Sequence, residues 1–336
     1  MDYIPLSDNA ARQVIDACTI FDEWRRVDKE ARPYAGGMYW KRQGEYEYLV
    51  KTLSDSRQTR IGRRSVETEA ILKDFTQHKL AAEARRKSLK QALMEAARLN
   101  KALKAGRVPA KVVAVLQALE EAGLGEHFTV VGTHALYAFE AAAGVRIVQG
   151  ALATQDVDLL WDARRRVRFV STMAKLDASV LQVLQRAEPS FRRKEGQAET
   201  AIDDKGFEVD FIRRQPQEGD PHPFRFSGDE DDLWPVQAVR ASVLTSAPKF
   251  EHVVISATGR MALMRTIDPA VFVSFKRWMA NEAPNRAELK RRRDRRQADI
   301  VDALLKEGLL QAQTSFAEKP PGAAAPDGSD AAKPEP

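Results

Sequence analysis

Apolar residues near the start of the chain recur every three or four positions, at Val14, Cys18 and Phe21. This spacing is typical of one face of an α-helix, so we expect a helical segment over 1–37. From residue 38 the period of the pattern falls to two, which is typical of strands. Short alternating runs separated by turns between 38 and 64 predict a small antiparallel β-meander.

A long helical pattern follows the meander. Ser65 is typical of a helix N-cap, and Glu67 and Glu69 lie in the first turn, where negative charge suits the helix dipole. An apolar stripe continues until Gly106 ends it. About 40 residues of helix would reach ~60 Å at ~1.5 Å per residue. We therefore expect 38–106 to form a meander joined to a long helix.

Strands and helices alternate from residue 107 onward. An apolar strand run ends at Gly132, a helix follows it, and a second strand is predicted over 154–161. A hairpin is predicted over 200–212, followed by an exposed loop. We expect 107–235 to form the core, with a mixed sheet flanked by helices, and the whole chain to be α+β.

The C-terminal part, 236–312, predicts further strands and helices. Strands are expected over 236–243 and 251–256, followed by two helices. The stretch 319–336 holds five prolines and five alanines and no large apolar residue. Such a composition cannot bury enough surface to offset the entropy of ordering it, so 313–336 is expected to be a disordered tail.

The composition excludes several classes of protein. The chain has 336 residues, 43% of them hydrophobic, which is enough for a core, and a net charge of +5, which is compatible with a polyanionic partner. Cys18 is the single cysteine, which excludes an internal disulfide and a cysteine zinc cluster. No apolar run is long enough for a membrane span, and the N-terminus lacks a basic and then apolar leader. We therefore expect a cytoplasmic protein without a membrane partner.

Two predicted strands carry carboxylates two residues apart, Asp156 with Asp158 and Glu208 with Asp210. Residues two apart in a strand share a face, about 7 Å apart at Cα. Acids crowded in this way raise each other's pKa unless a cation lies between them, and Mg²⁺ prefers such oxygen ligands. Gly132, in a turn before a helix, would offer backbone N–H groups to a phosphate. A solvated sheet edge is the simpler alternative for one acidic pair alone.

Several segments together resemble the nucleotidyltransferase fold of the DNA polymerase beta superfamily, and the most specific are 130–133, 154–160 and 208–212. The resemblance is closest to an uncharacterised bacterial branch of predicted nucleotidyltransferases. That branch shares the pattern at 63–69 and the spacing over 269–299, so the resemblance covers most of 35–310. It implies a nucleotidyltransferase-type mixed sheet flanked by helices.

The resemblance also implies a metal site and a reaction. Asp156 and Asp158 would bind two Mg²⁺ (or Mn²⁺) ions, and Asp210 would bind one of them and help to deprotonate an attacking hydroxyl. The implied reaction transfers a nucleoside monophosphate from an NTP such as ATP to a hydroxyl, with release of pyrophosphate. The acceptor is left open among RNA, a protein side chain and a small molecule, and toxin-like relatives that modify tRNA or proteins are an analogy.

The nucleotide contacts implied by the resemblance are Gly132 and Thr133, which would hold the triphosphate, and Lys276 beside it. Thr133 stands where the family usually has serine. Threonine keeps the hydroxyl, so a phosphate contact survives, but its methyl group crowds a tight turn.

The meander carries aromatic and basic residues that could contact nucleic acid, with Trp40, Arg63 and Arg64 as candidates. The alternative is that its aromatics pack the sheet onto the long helix and its arginines are solvated. The basic run 290–296 could likewise hold a phosphate or be a charged helix face. An inactive nucleotidyltransferase fold that binds nucleic acid or a partner protein is therefore the alternative to an enzyme.

Overall fold

A computed structural model of the chain describes residues 2–53, 57–152 and 154–312. The tail expected over 313–336 lies outside the described residues. The predicted α+β class is confirmed, because a mixed sheet is flanked by helices. Within the described ranges, no helix combines the length and the apolar character needed to cross a membrane.

The strands of the described chain form one large sheet and three small ones. In chain order they are β1 Tyr3–Pro5, β2 Gly37–Gln43, β3 Tyr46–Thr52, β4 Gln58–Arg63, β5 Phe128–Val131, β6 Val145–Ile147, β7 Asp156–Trp161, β8 Arg192–Lys194, β9 Gln197–Ile202, β10 Glu208–Arg213, β11 Val236–Gln237, β12 Lys249–Ile255 and β13 Met261–Ile267.

The α-helices of the described chain vary from one turn to ten. They are α1 Asp8–Ala31, α2 Val66–Ala102, α3 Ala110–Glu121, α4 Leu136–Ala143, α5 Gln149–Leu152, α6 Arg166–Leu176, α7 Val180–Ala187, α8 Ala241–Ser246, α9 Pro269–Asn281 and α10 Glu288–Lys306.

The large sheet is mixed and has the order β5-β7-β10-β9-β8, with β11 beside β10. Strands β7 and β10 are parallel neighbours, whereas β5 and β9 pair antiparallel with them. The main hydrophobic core lies on this sheet and includes the fully buried Trp161, Phe169 and Phe211. The centre of the sheet is therefore a rigid base for any side chains on its other face.

The N-terminal part matches the predicted meander and long helix. Strands β2, β3 and β4 form an antiparallel three-stranded sheet, and the Ser65 hydroxyl caps α2 in a reciprocal capping box with Thr68. Helices α1 and α2 pack along each other, and Gln13 Nε2 donates to Asn100 Oδ1 at 2.9 Å. Asn100 Nδ2 in turn donates to the Gly259 carbonyl at 3.0 Å, which fastens this pair to the β12–β13 hairpin.

The β12–β13 hairpin has two buried faces. Side chains that include Val254 and Met264 join the main core, whereas Ile255 and Leu263, on the opposite face, join a second cluster with Phe21 of α1. Because successive strand residues point to opposite faces, one hairpin serves both clusters.

The strand predictions need correction, because β1, β6, β8 and β13 were not predicted and one predicted strand is too long. Strand β1 precedes α1 and pairs with β6, but three residues are too few to show a period. The strand predicted over 236–243 is wrong beyond Gln237, because Arg240 has a left-handed backbone (φ +56°) and α8 follows. Strand β13 was missed, since its nearly continuous apolar run has no alternation.

The domain boundaries stay a prediction. The main core contains buried residues on both sides of the expected boundary between 107–235 and 236–312, including Val209 and Phe272. These two segments therefore share one hydrophobic core.

Gly259 shows how closely α2 approaches the hairpin. An ideal Cβ there would lie 1.9 Å from the Ala97 carbonyl oxygen, and φ is +86°. We expect Gly259→Ala to destabilise the protein by roughly 3 kcal/mol or more, because backbone would have to move. Gly196→Ala is the matched control: its φ is +73° with nothing within 4 Å, so only the strain of about 1–2 kcal/mol applies. Urea unfolding measures both, and equal losses would contradict the close approach.

Candidate functional site

The parallel pairing of β7 and β10 brings three carboxylates together. In the register, Asp158 lies opposite Asp210 and Asp156 lies opposite Glu208. One carboxylate oxygen from each of Asp156, Asp158 and Asp210 lies within 4.8 Å of the other two. The structure therefore unites these three side chains, whereas the Glu208 carboxylate accepts from Lys194 Nζ at 2.7 Å.

The alternating pattern of these strands explains the arrangement. Val157 and Leu159 are buried on one face of β7, and Val209 and Phe211 are buried on the same side of β10. Because the apolar residues occupy the core face, the intervening aspartates must point to the other face. The position of the acids is thus set by the hydrophobic core behind them.

The electrostatics of the cluster are unfavourable without a cation. Burial, together with the charges of Asp156 and Asp210, raises the pKa of Asp158 to about 7. Burial also raises the pKa of Asp210, although the Thr200 hydroxyl, which donates to its Oδ1 at 2.6 Å, acts in the opposite direction. Three crowded carboxylates, with the pKa raised at Asp158 and Asp210, are a ligand set that suits a hard divalent cation.

The turn at Gly132 lies directly against this cluster. Its φ is +68°, and an ideal Cβ would lie 2.2 Å from Asp158 Oδ2. Any side chain at this position would therefore collide with the carboxylate. The turn of 3₁₀ helix at Gly132–Ala135 then leads into α4. A glycine is required here for its conformation and for its lack of a side chain.

Thr133 and His134, the next two residues of the turn, are both buried. The Thr133 hydroxyl accepts a hydrogen bond from Gln297 Nε2 of α10 at 3.2 Å, and the same nitrogen donates to the Ala151 carbonyl at 2.6 Å. Burial lowers the pKa of His134 to about 4, so the imidazole is neutral at pH 7. Gln297, which sequence reasoning missed, therefore positions the turn from a distant helix.

A cavity of about 490 Å³ opens beside the carboxylates. One wall contains Gly132, Thr133 and the two aspartates of β7. The opposite wall comes from α9, α10 and the segment between them, and it includes Phe275, Lys276, Trp278, Arg286, Lys290 and Arg293. The cavity thus has an acidic side and a basic side, and its volume is in the usual range for ligand pockets of about 300–1,000 Å³.

Lys276 is in the cavity wall, but its ammonium group is already paired. Nζ donates to Asp294 Oδ1 at 2.8 Å, and Arg286 binds the other oxygen of the same carboxylate at 2.7 Å. Asp294 is fully buried, and burial lowers the pKa of Lys276. The role expected of Lys276 as a triphosphate contact stays a prediction.

The cavity-lining cations Lys290 and Arg293 were not singled out from the sequence, although they belong to the basic run 290–296. The signal that finds them is helical spacing. Together with Gln297 they follow an i, i+3, i+7 pattern, which puts three polar side chains on one face of α10.

The candidate nucleic-acid residues Trp40, Arg63 and Arg64 are not among the residues that line this cavity. All three belong to the N-terminal sheet or to the turn after it. The Arg64 guanidinium lies over the Trp40 ring at 5.1 Å and pairs with Glu47 and Glu69. The structure therefore does not unite these residues with the carboxylates.

Comparison with known proteins identifies the family of the chain. A family model described as nucleotidyltransferase matches residues 110–319, which is more than half of the chain and includes the Gly132 turn and all three carboxylates. The chain belongs to the nucleotidyltransferase family. No curated protein and no solved structure matches it. The mixed sheet flanked by helices is consistent with a nucleotidyltransferase fold, whereas its place in a polymerase beta-like bacterial branch stays a prediction.

The carboxylate cluster of this nucleotidyltransferase generates a stability prediction. We expect Asp158→Asn to stabilise the metal-free protein by roughly 1–3 kcal/mol at pH 8, because it removes a buried charge that two neighbours repel. The same variant should lose the rise in Tm that Mn²⁺ gives to the wild type. Thermal unfolding in EDTA and in Mn²⁺ measures both effects. A less stable metal-free variant would show that the three charges do not repel each other as described.

Proposed function

We propose that this nucleotidyltransferase transfers a nucleoside monophosphate from an NTP, ATP among them, to a hydroxyl of an acceptor and releases pyrophosphate. The acceptor oxygen forms a bond to the α-phosphorus as the bond between that phosphorus and the pyrophosphate oxygen breaks. The observation that carries the proposal is the convergence of Asp156, Asp158 and Asp210, the first two of which line a cavity with a basic opposite wall.

The residues at the cluster fit a divalent metal. Asp156, Asp158 and Asp210 would hold Mg²⁺, or Mn²⁺ in its place, since all their ligand atoms are carboxylate oxygens. The raised pKa of Asp158 supports this assignment, because it comes from burial and then from repulsion by Asp156 and Asp210, and a bound cation relieves that repulsion. A bound metal of this kind lowers the pKa of a hydroxyl and neutralises phosphate charge.

Asp210 is the residue that would accept the proton of the attacking hydroxyl. The Thr200 hydroxyl occupies its Oδ1, and this fixes the orientation of the carboxylate. Burial raises the pKa of Asp210, which makes the carboxylate a better proton acceptor than an exposed aspartate.

The triphosphate would lie between the Gly132 turn and the basic wall. Backbone N–H groups of the turn can donate to phosphate oxygens. Arg286, Lys290 and Arg293 line the opposite wall, where positive charge stabilises the departing pyrophosphate. We propose that Lys276 acts mainly by holding Asp294, which in turn orients Arg286.

The role of the carboxylates in the reaction is tested by labelling. With α-³²P-labelled NTPs, Mg²⁺ and cell extract, Asp210→Asn should lower labelling of the acceptor by about 10³-fold or more, because the metal and proton acceptor are both impaired. Glu208→Gln is the matched control on the same strand, because that side chain is paired with Lys194, and it should retain activity within a few-fold.

Two results would contradict the proposed activity. One is a wild-type protein that labels nothing with any of the four NTPs, and the other is equal labelling by wild type and Asp210→Asn. Either result supports the alternative, an inactive fold that binds nucleic acid or a partner protein.

The role of the basic wall is tested by steady-state kinetics. Lys290→Ala should raise the KM for NTP by roughly tenfold with a smaller change in kcat, because a phosphate contact is lost. Arg292→Ala removes an equal charge from the same helix, but Arg292 pairs with Glu288 and is not part of the cavity wall. Steady-state kinetics compare the two variants. A similar KM change in both would show that Lys290 acts only through the overall positive potential of α10 and not through a phosphate contact.

A further inference from the structure

The N-terminal sheet has two different faces. Leu49 is fully buried and lies opposite Trp40 and Gly62 in the register. An ideal Cβ at Gly62 would lie 3.3 Å from Thr68 of α2. This side of the sheet therefore packs against α2, and the Arg64 contacts with Trp40 and Glu47 belong to it.

The opposite face, which we call the outer face, carries Lys41, Tyr46, the half-buried Tyr48, Arg60 and Arg63 around the buried Val50, with Tyr39 beside them. Lys41 lies opposite Tyr48, and Tyr48 lies opposite Arg63, so the row crosses all three strands. The Arg60 guanidinium lies 3.1 Å from the centre of the Tyr48 ring, and that of Arg63 lies 4.3 Å from the centre of the Tyr46 ring. Tyr46 is 50% exposed, and Lys41, Arg60 and Arg63 are also exposed.

The charge of the outer face is uniformly positive. The one acid in strands β2, β3 and β4 is Glu47, and its carboxylate pairs with Arg64 on the helix side. A β-bulge between Leu49 and Val50 shifts the register, and it brings Arg60 and Arg63 to the same face although they are three residues apart. Three cations and two tyrosine rings are thus collected on one open surface.

This combination matches the chemistry of unpaired nucleotides. Tyrosine rings and arginine planes stack on bases, and the cations bind the phosphates between them. In a duplex the bases are already stacked on each other, so only the phosphates could use this surface. RNA is the nucleic acid that offers unpaired loops and ends to such stacking platforms.

We propose that the outer face binds single-stranded RNA through stacking on Tyr46 and Tyr48 and phosphate contacts with Lys41, Arg60 and Arg63. The binding stands on the surface itself. A second claim, that the bound RNA supplies the acceptor hydroxyl, rests on the proposed function.

The test is fluorescence anisotropy with a labelled 20-nucleotide unstructured RNA and the full chain, without NTP or divalent metal. We expect Arg60→Ala/Arg63→Ala to weaken binding by roughly tenfold or more. The salt slope, which is the slope of the logarithm of the binding constant against the logarithm of the salt concentration, should become smaller in magnitude by about 1.4, or about 0.7 per lost phosphate contact. Tyr46→Ala/Tyr48→Ala should weaken binding by a similar factor and leave the salt slope unchanged, because stacking releases no counterions.

Two controls separate this surface from general charge and from misfolding. Arg42→Ala removes a cation from the helix side of the same strand as Lys41 and should change affinity by less than about twofold. Tyr46→Phe/Tyr48→Phe keeps both rings and should bind like the wild type.

Four results would overturn the proposal: no saturable binding of the RNA, an equal loss with Arg42→Ala, binding of duplex RNA as tight as that of the single strand, or tighter binding of DNA of the same sequence. Asp210→Asn should bind RNA like the wild type. If binding is intact but no NTP labels the RNA, the RNA is not the acceptor, whereas the binding surface stands and the proposed function is decided by the labelling of cell extract.

Discussion

The parallel pairing of β7 and β10 is the interaction on which the site depends. It places Asp158 beside Asp210, with Asp156 two residues away on the same face of β7. The apolar residues between the acids hold both strands to the core. Because the core fixes both strands, the carboxylates cannot move apart to lower their repulsion. The fold therefore fixes three carboxylates close together, and the neighbouring hydroxyls and the cationic wall offset their negative charge.

One buried polar contact joins the two walls of the cavity, and a buried ion-pair cluster holds the basic wall together. Gln297 connects α10 to the Gly132 turn through Thr133, and Asp294 connects α9 to α10 through Lys276 and Arg286. A buried charge that loses its partner is costly, so these contacts favour one arrangement of the walls. Residues that need not touch a nucleotide thus fix the position of the acidic side of the cavity relative to the basic side.

The fold class, the meander and the long helix were predictable, because each follows from a short-range period in the sequence. The shared face of Asp156 and Asp158 follows in the same way, whereas their meeting with Asp210 was expected from the resemblance to a known fold. Other contacts between distant segments were not predictable. Asp294 lies 18 residues from Lys276 on another helix, so its pairing depends on how α9 and α10 pack. The division of the meander's candidate residues between two faces was missed for a different reason. Arg63 faces away from Arg64 because adjacent strand residues alternate, and a bulge brings Arg60 to the face of Arg63 although the two are three residues apart.

The two-sided β12–β13 hairpin has a consequence for how the chain can be divided. One face of the hairpin is covered by α1 and α2, which precede the segment shared with the family, 110–319. A fragment trimmed to that segment would leave Ile255 and Leu263 uncovered. Such a fragment would expose an apolar strip and tend to aggregate during purification, so the shortest soluble version of the protein should keep its first hundred residues.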